Sequence, residues 1–225
     1  MGCSHCMINA GPEGQHMDMN VYDQVLAFIE WTEFPFIMIS GGEPCHHPEI
    51  LTIIKKANDK NLKTVLLSNG MFLEDMILTR KILSLGISIQ ITNDDRFYPK
   101  RVPIVEHPQI VYEDRIRVVS PFGRAVTNKI PMNRQSPLCF NLRSVCRHTR
   151  DFKEALRLLR GMQKFCTPSI NIDGSISAGE SNTCTCIGTV SDINLTLTNN
   201  LCSMTCQRCG LINNVKPEIR QAIGE

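Results

Sequence analysis

Residues 36–44 read Phe-Ile-Met-Ile-Ser-Gly-Gly-Glu-Pro, an apolar run of four residues that stops at a glycine turn. A run this short, closed by Gly41-Gly42, is typical of a strand buried on both faces. Apolar residues at helical spacing precede the run: Tyr22, Val25, Leu26 and Ile29. We therefore predict a helix that leads into a buried strand.

The same unit of helix and strand repeats along the chain. A helix that begins near Pro48 is predicted to bury Ile50, Leu51, Ile54 and Ala57, and an apolar run over 64–67 follows it. The next helix carries Leu73, Met76, Ile77 and Leu83, and strands are predicted over 87–91 and 116–119. Buried strands that alternate with helices predict an α/β fold with a mostly parallel sheet.

The last third of the chain has a different pattern. Asp151 with Glu154 resembles a capping box, which predicts a helix that ends near Gly161. Polarity then alternates on both sides of Asp173-Gly174, the strongest short hairpin signal in the chain. The surrounding stretch is rich in Cys, Gly and Asp, so we expect this hairpin to need a metal in place of an apolar core.

Composition limits the classes of function. The chain has 225 residues, a formal net charge of +2 and eleven cysteines. Its length suits one large domain with a small appendix and excludes a disordered tail or a coiled coil. The chain has no dense basic block of the kind that indicates nucleic-acid binding. It also has no apolar run that approaches the roughly 18 residues of a membrane span. We expect a cytoplasmic protein, without nucleic-acid or membrane partners, whose thiols are reduced metal ligands.

Three motifs lie at the chain start or directly after predicted strands. They are Cys3-Ser4-His5-Cys6, the segment Ser40–Pro44 and Ser68-Asn69-Gly70. Ligand sites of parallel sheets lie at the carboxyl ends of the strands, so we expect all three to face one cavity. A Cys-x2-Cys pair alone is compatible with zinc, an iron–sulfur cluster or a redox pair.

Together, these motifs resemble the radical S-adenosylmethionine (SAM) superfamily, in which Cys-x3-Cys-x2-Cys holds a 4Fe-4S cluster and a Gly-Gly-Glu-Pro turn follows. The order and spacing fit from Cys3 to about Val119. The resemblance implies a partial (β/α)6 TIM-like barrel over residues 1–150, with its first strand missing, that cleaves SAM to a 5′-deoxyadenosyl radical and abstracts hydrogen from a substrate.

The resemblance also implies roles for single residues. Cys3 and Cys6 match the second and third cluster ligands, and His5 matches an aromatic position near the adenine of SAM. Gly41, Gly42 and Glu43 match the segment that receives the SAM amino group. The candidate cofactor-binding set is His5, Ser40, Gly41, Gly42, Glu43, Pro44, Asn69 and Gln90.

One feature departs from the family pattern. The spacing puts the first cluster cysteine four positions before Cys3, which is two residues upstream of Met1. We expect either that the natural protein is longer than the printed sequence or that this form does not hold the catalytic cluster normally.

Cysteines near the C-terminus carry a second resemblance, to the SPASM and twitch extensions of radical SAM enzymes. Twelve residues separate Cys166 from Gly179, and four more precede Cys184, which matches the opening of those extensions. We therefore expect one auxiliary 4Fe-4S cluster in residues 151–225, with a structural zinc site as the alternative. The candidate ligands are Cys166, Cys184, Cys202, Cys206 and Cys209, with Cys186 as a possible sixth thiol.

Other reactive residues are predicted to have ordinary roles. Cys45, Cys139 and Cys146 are interpreted as plain thiols, and His46 and His47 as solvated or capping side chains. Arg124, in a Gly-Arg-Ala turn, either pairs with a carboxylate near SAM or is simply exposed.

By family analogy, a peptide or protein side chain is the expected substrate, with a small molecule as the nearest alternative. An electron donor such as flavodoxin or ferredoxin is expected as a partner. The rival hypothesis is a non-catalytic, truncated relative that serves as a zinc- or iron–sulfur-binding scaffold.

Overall fold

A computed structural model describes residues 2–98, 101–114, 116, 123–130, 151–159, 168–179 and 185–203. The chain forms two compact units. The first contains the described parts of Met1–His16 and Pro35–Arg134, and the second those of Met17–Phe34 and Gln135–Glu225. The sequence boundary between residues 150 and 151 stays a prediction.

The first unit is built on a four-stranded parallel sheet. Its strands lie in sequence order: β1 Phe36–Ile39, β2 Lys63–Ser68, β3 Ser88–Thr92 and β4 Ile110–Glu113. Helices α2 Ile50–Asp59 and α3 Met76–Ser84 connect the first three strands, and a short helix, α4 Arg124–Thr127, follows. The α/β class and the repeated helix–strand unit predicted from the sequence are therefore confirmed for the described residues.

Apolar residues of the strands and helices form the core of this unit. Ile54, Leu66, Ile82 and Ile91 have no exposed surface, and Ile89 is 1% exposed. Helix α3 begins where the Asp75 carboxylate accepts hydrogen bonds from the amides of Ile77 and Leu78. That cap fixes the direction of the helix as it leaves the end of β2.

Two details of this unit differ from the sequence prediction. Met76 and Ile77 are 57% and 69% exposed, because the buried face of α3 carries Thr79 and Ile82 instead. Strand β4 lies at 110–113, in a stretch that we expected to be irregular. Most of the strand predicted over 116–119 lies outside the described residues.

The second unit combines three helices with a small antiparallel sheet. The helices are α1 Met19–Thr32, α5 Phe152–Leu159 and α6 Asn194–Ser203; the strands are β5 Ser169–Ile170, β6 Ser175–Ser177 and β7 Cys186–Thr189. Asp151 caps α5 by accepting a hydrogen bond from the Glu154 amide at 2.7 Å, and β5 and β6 form the predicted hairpin. The expectation that this hairpin lacks an apolar core was wrong, because helices α5 and α6 supply one: Ile176, Ile187, Leu197 and Phe152 have no exposed surface.

None of the helices in the described part of the chain is long and apolar enough to cross a bilayer.

Candidate functional site

Cys3 and Cys6 lie together in one turn near the start of the chain. The Cys6 amide donates to the Cys3 carbonyl at 3.3 Å, and both cysteines are half-buried and outside any disulfide. The Ala10 amide donates to Sγ of Cys6 at 3.3 Å. Burial, followed by the neighbouring Cys6, raises the pKa of Cys3. Two adjacent thiols in a preformed turn suit a soft metal centre that binds thiolates.

His5 projects from the same turn into an aromatic setting. Its ring lies 4.5 Å from the ring of Phe97 and 5.6 Å from that of Tyr98, measured between centroids. Among the described residues, Nδ1 of His5 is a buried atom without a hydrogen-bond partner. Burial lowers the pKa of His5, which favours the neutral imidazole. A neutral ring with an unsatisfied buried nitrogen, beside two cysteines, is suited to contact a bound group.

Tyr98 connects this turn to the end of β3. Its hydroxyl hydrogen-bonds with the side chains of Cys3 and Thr92, and burial raises its pKa. Sequence reasoning missed Tyr98, because its partner Cys3 is distant along the chain. The available signal was an aromatic residue in the loop that follows β3.

Asp94 and Arg96 fix the segment that carries the two aromatic rings. The Asp94 carboxylate is 1% exposed, and it accepts hydrogen bonds from Nε of Arg96 at 2.8 Å and from the Ile116 amide at 2.7 Å. The hydrogen bond from Arg96 lowers the pKa of Asp94 to about 2. The Arg96 guanidinium also lies 5.0 Å from the centre of the Phe97 ring. Asp94 therefore orders the turn that places Phe97 and Tyr98 against His5.

Glu43 joins the ends of β1 and β2. Its Oε1 accepts hydrogen bonds from the Ser68 hydroxyl at 2.8 Å and the Cys45 amide at 3.1 Å, and its Oε2 accepts from the Asn69 amide at 2.8 Å. A carboxylate has about four acceptor positions, and the Cys45 thiol is a further donor to this side chain. Glu43 thus serves the fold, and its negative charge can attract a cationic ligand.

The turn before Glu43 is open at one position and packed at the next. Gly41 has a φ of 144°, and a Cβ built there would meet no atom of the described residues within 4 Å. A Cβ on Gly42 would stand 3.1 Å from the Cβ of Ala10, which belongs to the loop that follows Cys6. The structure therefore packs the Gly-Gly turn against the loop that follows the cysteine turn, and a common cavity for the motifs stays a prediction. Ser40 follows β1 directly, and Pro44 is buried at the start of a 3-10 turn.

Asn69 and Gln90 already contact protein groups. Oδ1 of Asn69 accepts from the Met71 amide at 2.9 Å, and Nε2 of Gln90 donates to Glu113 at 3.2 Å. Asn69 therefore shapes the turn after β2, and Gln90 bonds across to β4. Their roles in cofactor binding stay predictions.

Arg124 has a different set of partners from the two considered in the sequence analysis. It is half-buried, and it donates hydrogen bonds to backbone carbonyls of the loop that carries Cys3 and Cys6. No carboxylate of the described residues forms an ion pair with it.

The predicted C-terminal metal centre lies mostly beyond the described residues, since Cys166, Cys184, Cys206 and Cys209 fall outside them. Cys202 lies in α6 and is disulfide-bonded, and the exposed Cys186 lies in β7. Within the described ranges, no three His, Cys, Asp or Glu side chains are grouped as metal ligands. The auxiliary centre stays a prediction.

Comparison with known proteins agrees with this geometry. The family model of the radical SAM superfamily matches residues 1–131. A crystal structure of BtrN in complex with AdoMet and 2-DOIA is similar, with a TM-score of 0.61 and 13% identity, over 99% of this chain and 84% of that chain. Selenomethionine BtrN in an open conformation matches with a TM-score of 0.51 and 13% identity, over 93% and 81%. Among curated proteins, none matches significantly. At such identities, the BtrN structures show a shared fold alone.

Proposed function

The chain belongs to the radical SAM superfamily, and from this premise we propose that it binds a 4Fe-4S cluster and SAM and abstracts a hydrogen atom from a substrate. The observation that carries the proposal is the turn in which Cys3 and Cys6 lie beside the unsatisfied Nδ1 of His5. The family match covers this turn and the Gly41-Gly42 turn packed against its loop.

The residues present fit the cluster in part. Three thiolates hold three irons of a four-iron cube and leave the fourth iron open for SAM. Cys3 and Cys6 would supply two of those thiolates, and the third has to come from outside the described residues. The hydrogen bond from the Ala10 amide would orient the Cys6 sulfur toward the cluster.

The residues around the turn would bind and orient SAM. The negatively charged carboxylate of Glu43 would attract the SAM amino group, beside backbone that Gly41 leaves unobstructed. His5, held between Phe97 and Tyr98, would stack near the adenine. With one electron from a donor, the bound cluster and SAM supply a 5′-deoxyadenosyl radical that takes a hydrogen atom from the substrate. The protein's task is to position the groups and exclude water.

A peptide or protein side chain is our proposed substrate, because C-terminal extensions of the SPASM and twitch type often accompany such substrates. A small molecule is the second candidate, and the fold shared with BtrN, crystallised with AdoMet and 2-DOIA, favours it. An electron donor such as flavodoxin or ferredoxin would supply the electron. Cys166, Cys184, Cys206 and Cys209, together with Cys202 once its disulfide is reduced, are proposed to hold one auxiliary cluster.

Anaerobic reconstitution tests the proposal. We expect about eight irons per chain, as two four-iron clusters require, and release of 5′-deoxyadenosine after reduction with SAM present. Cys6→Ala should abolish SAM cleavage and keep about four irons, whereas Cys184→Ala should lose the other iron set. Cys139→Ala, a matched cysteine outside both predicted ligand sets, should retain cleavage. Four irons or zinc without cleavage would defeat the proposal and favour the scaffold hypothesis.

The substrate class can be tested by isotope transfer. An extract of deuterated cells, divided by ultrafiltration, would be offered to the reconstituted protein as a macromolecular and a small-molecule fraction. Because the substrate hydrogen ends in 5′-deoxyadenosine, deuterium in that product identifies the fraction that contains the substrate. Label only from the small-molecule fraction would contradict the peptide proposal.

A further inference from the structure

One short segment, residues 123–128, contacts the cysteine loop at four carbonyl groups. The Arg124 amide donates to the Cys6 carbonyl at 2.9 Å. Its guanidinium donates from Nε to the Cys3 carbonyl at 2.8 Å and from Nη2 to the Ala10 carbonyl at 2.9 Å. Nδ2 of Asn128 donates to the Ser4 carbonyl at 2.8 Å. Arg124 therefore holds the loop that presents both thiols at three carbonyls, and Asn128 holds it at a fourth.

The loop needs these donors because it has little structure of its own. Residues 2–18 contain turns but no helix or strand, so few of their carbonyls are paired within regular structure. The guanidinium is a rigid planar fork of donors, which suits it to hold two carbonyls at a fixed separation. Lysine carries the same charge but lacks that fork.

Gly123 makes the close approach possible. A Cβ at this position would stand 2.3 Å from the Cys6 carbonyl oxygen and 2.7 Å from that of Met7, and its φ is 55°. Only glycine allows the backbone to pass so near the loop in this conformation. The hydrogen bond between the Arg124 amide and the Cys6 carbonyl thus depends on glycine at position 123.

The Arg124 charge stays uncompensated by any carboxylate of the described residues. Carbonyl oxygens accept its protons but do not neutralise it. The guanidinium donates a hydrogen bond to the backbone of Cys3, whose sulfur must become an anion to bind metal. Groups that donate hydrogen bonds or add charge near cluster sulfurs set both cluster affinity and reduction potential.

We propose that Arg124 is a positioning residue that fixes the cluster-binding loop through the carbonyls of Cys3, Cys6 and Ala10, and that its charge favours the reduced, more negative cluster. Only the second half of this proposal, the effect of the Arg124 charge on the cluster, rests on the proposed function. The fixing of the loop is a property of the cluster-free chain.

Arg124→Gln, Arg124→Lys and Asn128→Ala test the proposal, with Arg80→Gln on the exposed face of α3 as the matched control. Hydrogen–deuterium exchange of the cluster-free protein measures how well the loop is ordered. We expect Arg124→Gln to speed exchange in residues 2–16 by about tenfold, because hydrogen bonds to charged donors are lost. Arg124→Lys should do so to a similar extent, Asn128→Ala to a smaller extent, and Arg80→Gln not at all. Unchanged exchange in both Arg124 variants would overturn the positioning role.

Redox titration of the reconstituted cluster, monitored by electron paramagnetic resonance, measures the effect of the Arg124 charge on the reduction potential. Arg124→Gln should lower the reduction potential and weaken cluster retention by about tenfold, whereas Arg124→Lys should restore most of the potential. Equal potentials in the wild type and both variants would overturn the electrostatic half. If the wild type binds no cluster, the proposed function and that half both fail, and the exchange experiment still decides the first half.

Discussion

The carboxylate of Glu43 accepts a 2.8 Å hydrogen bond from the hydroxyl of Ser68, so the residue after the Gly-Gly turn is fastened to the end of the neighbouring strand. Its other oxygen accepts from the Asn69 amide, also at 2.8 Å. Glu43 therefore has a structural task in addition to the ligand contact that we propose. The two tasks depend on different properties, hydrogen-bond geometry and negative charge, and substitutions can separate them.

Ser68→Ala should affect the structural task alone. Loss of one hydrogen bond to a carboxylate should lower the free energy of unfolding by roughly 1.5–3 kcal/mol, measured by urea denaturation of the cluster-free protein. The carboxylate remains, so SAM affinity of the reconstituted protein should change little.

Glu43→Gln should have the opposite profile. The amide can still accept from Asn69 and donate to Ser68, whereas the hydrogen bond from the Cys45 amide is lost together with the charge. SAM affinity, measured by calorimetry, should fall by about tenfold or more, as expected for a lost charge-assisted hydrogen bond. Equal losses of affinity in the two variants would mean that Glu43 acts only through the fold.

Gly123→Ala should be the most damaging glycine substitution in the first unit. Gly86 gives a matched control, because its φ is 70° but a Cβ there would meet no atom of the described residues within 4 Å. Gly86→Ala should cost only the backbone strain, about 1–2 kcal/mol of unfolding free energy. Gly123→Ala adds a clash with Cys6 and should cost about 3 kcal/mol or more, with loss of cluster binding. Similar costs for both variants would show that the loop moves away freely.

Local patterns were enough to predict much of the fold. The apolar runs at 36–39 and 64–67 fall in strands, the run at 87–91 does so except for Ile87, and Asp173-Gly174 makes the predicted hairpin. Strand β4 was missed because Ile110-Val111-Tyr112 is a short run after two prolines. Its pairing with β3, in the register Ile89 with Ile110, depends on contacts that local sequence does not encode.

The candidate site, too, could be predicted only in part from local sequence. The motif spacing identified Cys3, His5, Cys6 and the Gly-Gly turn, because these residues are close in the chain or recur at strand ends. Arg124 was assigned other partners, since its bond to Cys3 spans 121 positions. Asp94 was missed because its buried environment comes from Arg96 and the distant Ile116 amide. Roles set by folding partners far along the chain need the tertiary structure.

The buried Asp94 carboxylate should make the first unit sensitive to acid. Its pKa is lowered from 3.8 to about 2, chiefly by the hydrogen bond from Arg96. A lowered pKa means that the folded state prefers the anion, so this stabilisation is complete above about pH 4 and is lost as the pH falls toward 2. The loss should amount to about 2 kcal/mol, measured by urea denaturation as a function of pH.

Asp94→Asn should remove that part of the pH dependence. Its neighbour Asp95 is a matched control, because its carboxylate pairs with Arg101 on the surface and is 58% exposed. Asp95→Asn should leave the acid profile of the wild type in place. An unchanged profile in Asp94→Asn would show that another carboxylate carries the effect.

In the second unit, Glu33 should stabilise the fold through exposed charge and therefore in a salt-dependent way. Its carboxylate lies 2.7 Å from Nζ of Lys153 and 2.7 Å from Nη2 of Arg157, which together lower its pKa to about 2, with Lys153 the larger cause. Both cations lie on α5, so the pairs join this helix to the end of α1. Salt screens exposed pairs, so Glu33→Gln should lower the urea midpoint at low salt and have little effect at about 1 M salt. Glu13→Gln changes the net charge equally at an exposed position, and it should shift the midpoint at neither salt concentration. A Glu33→Gln effect that persists at high salt would mean that hydrogen-bond geometry, and not charge, fastens α5 to α1.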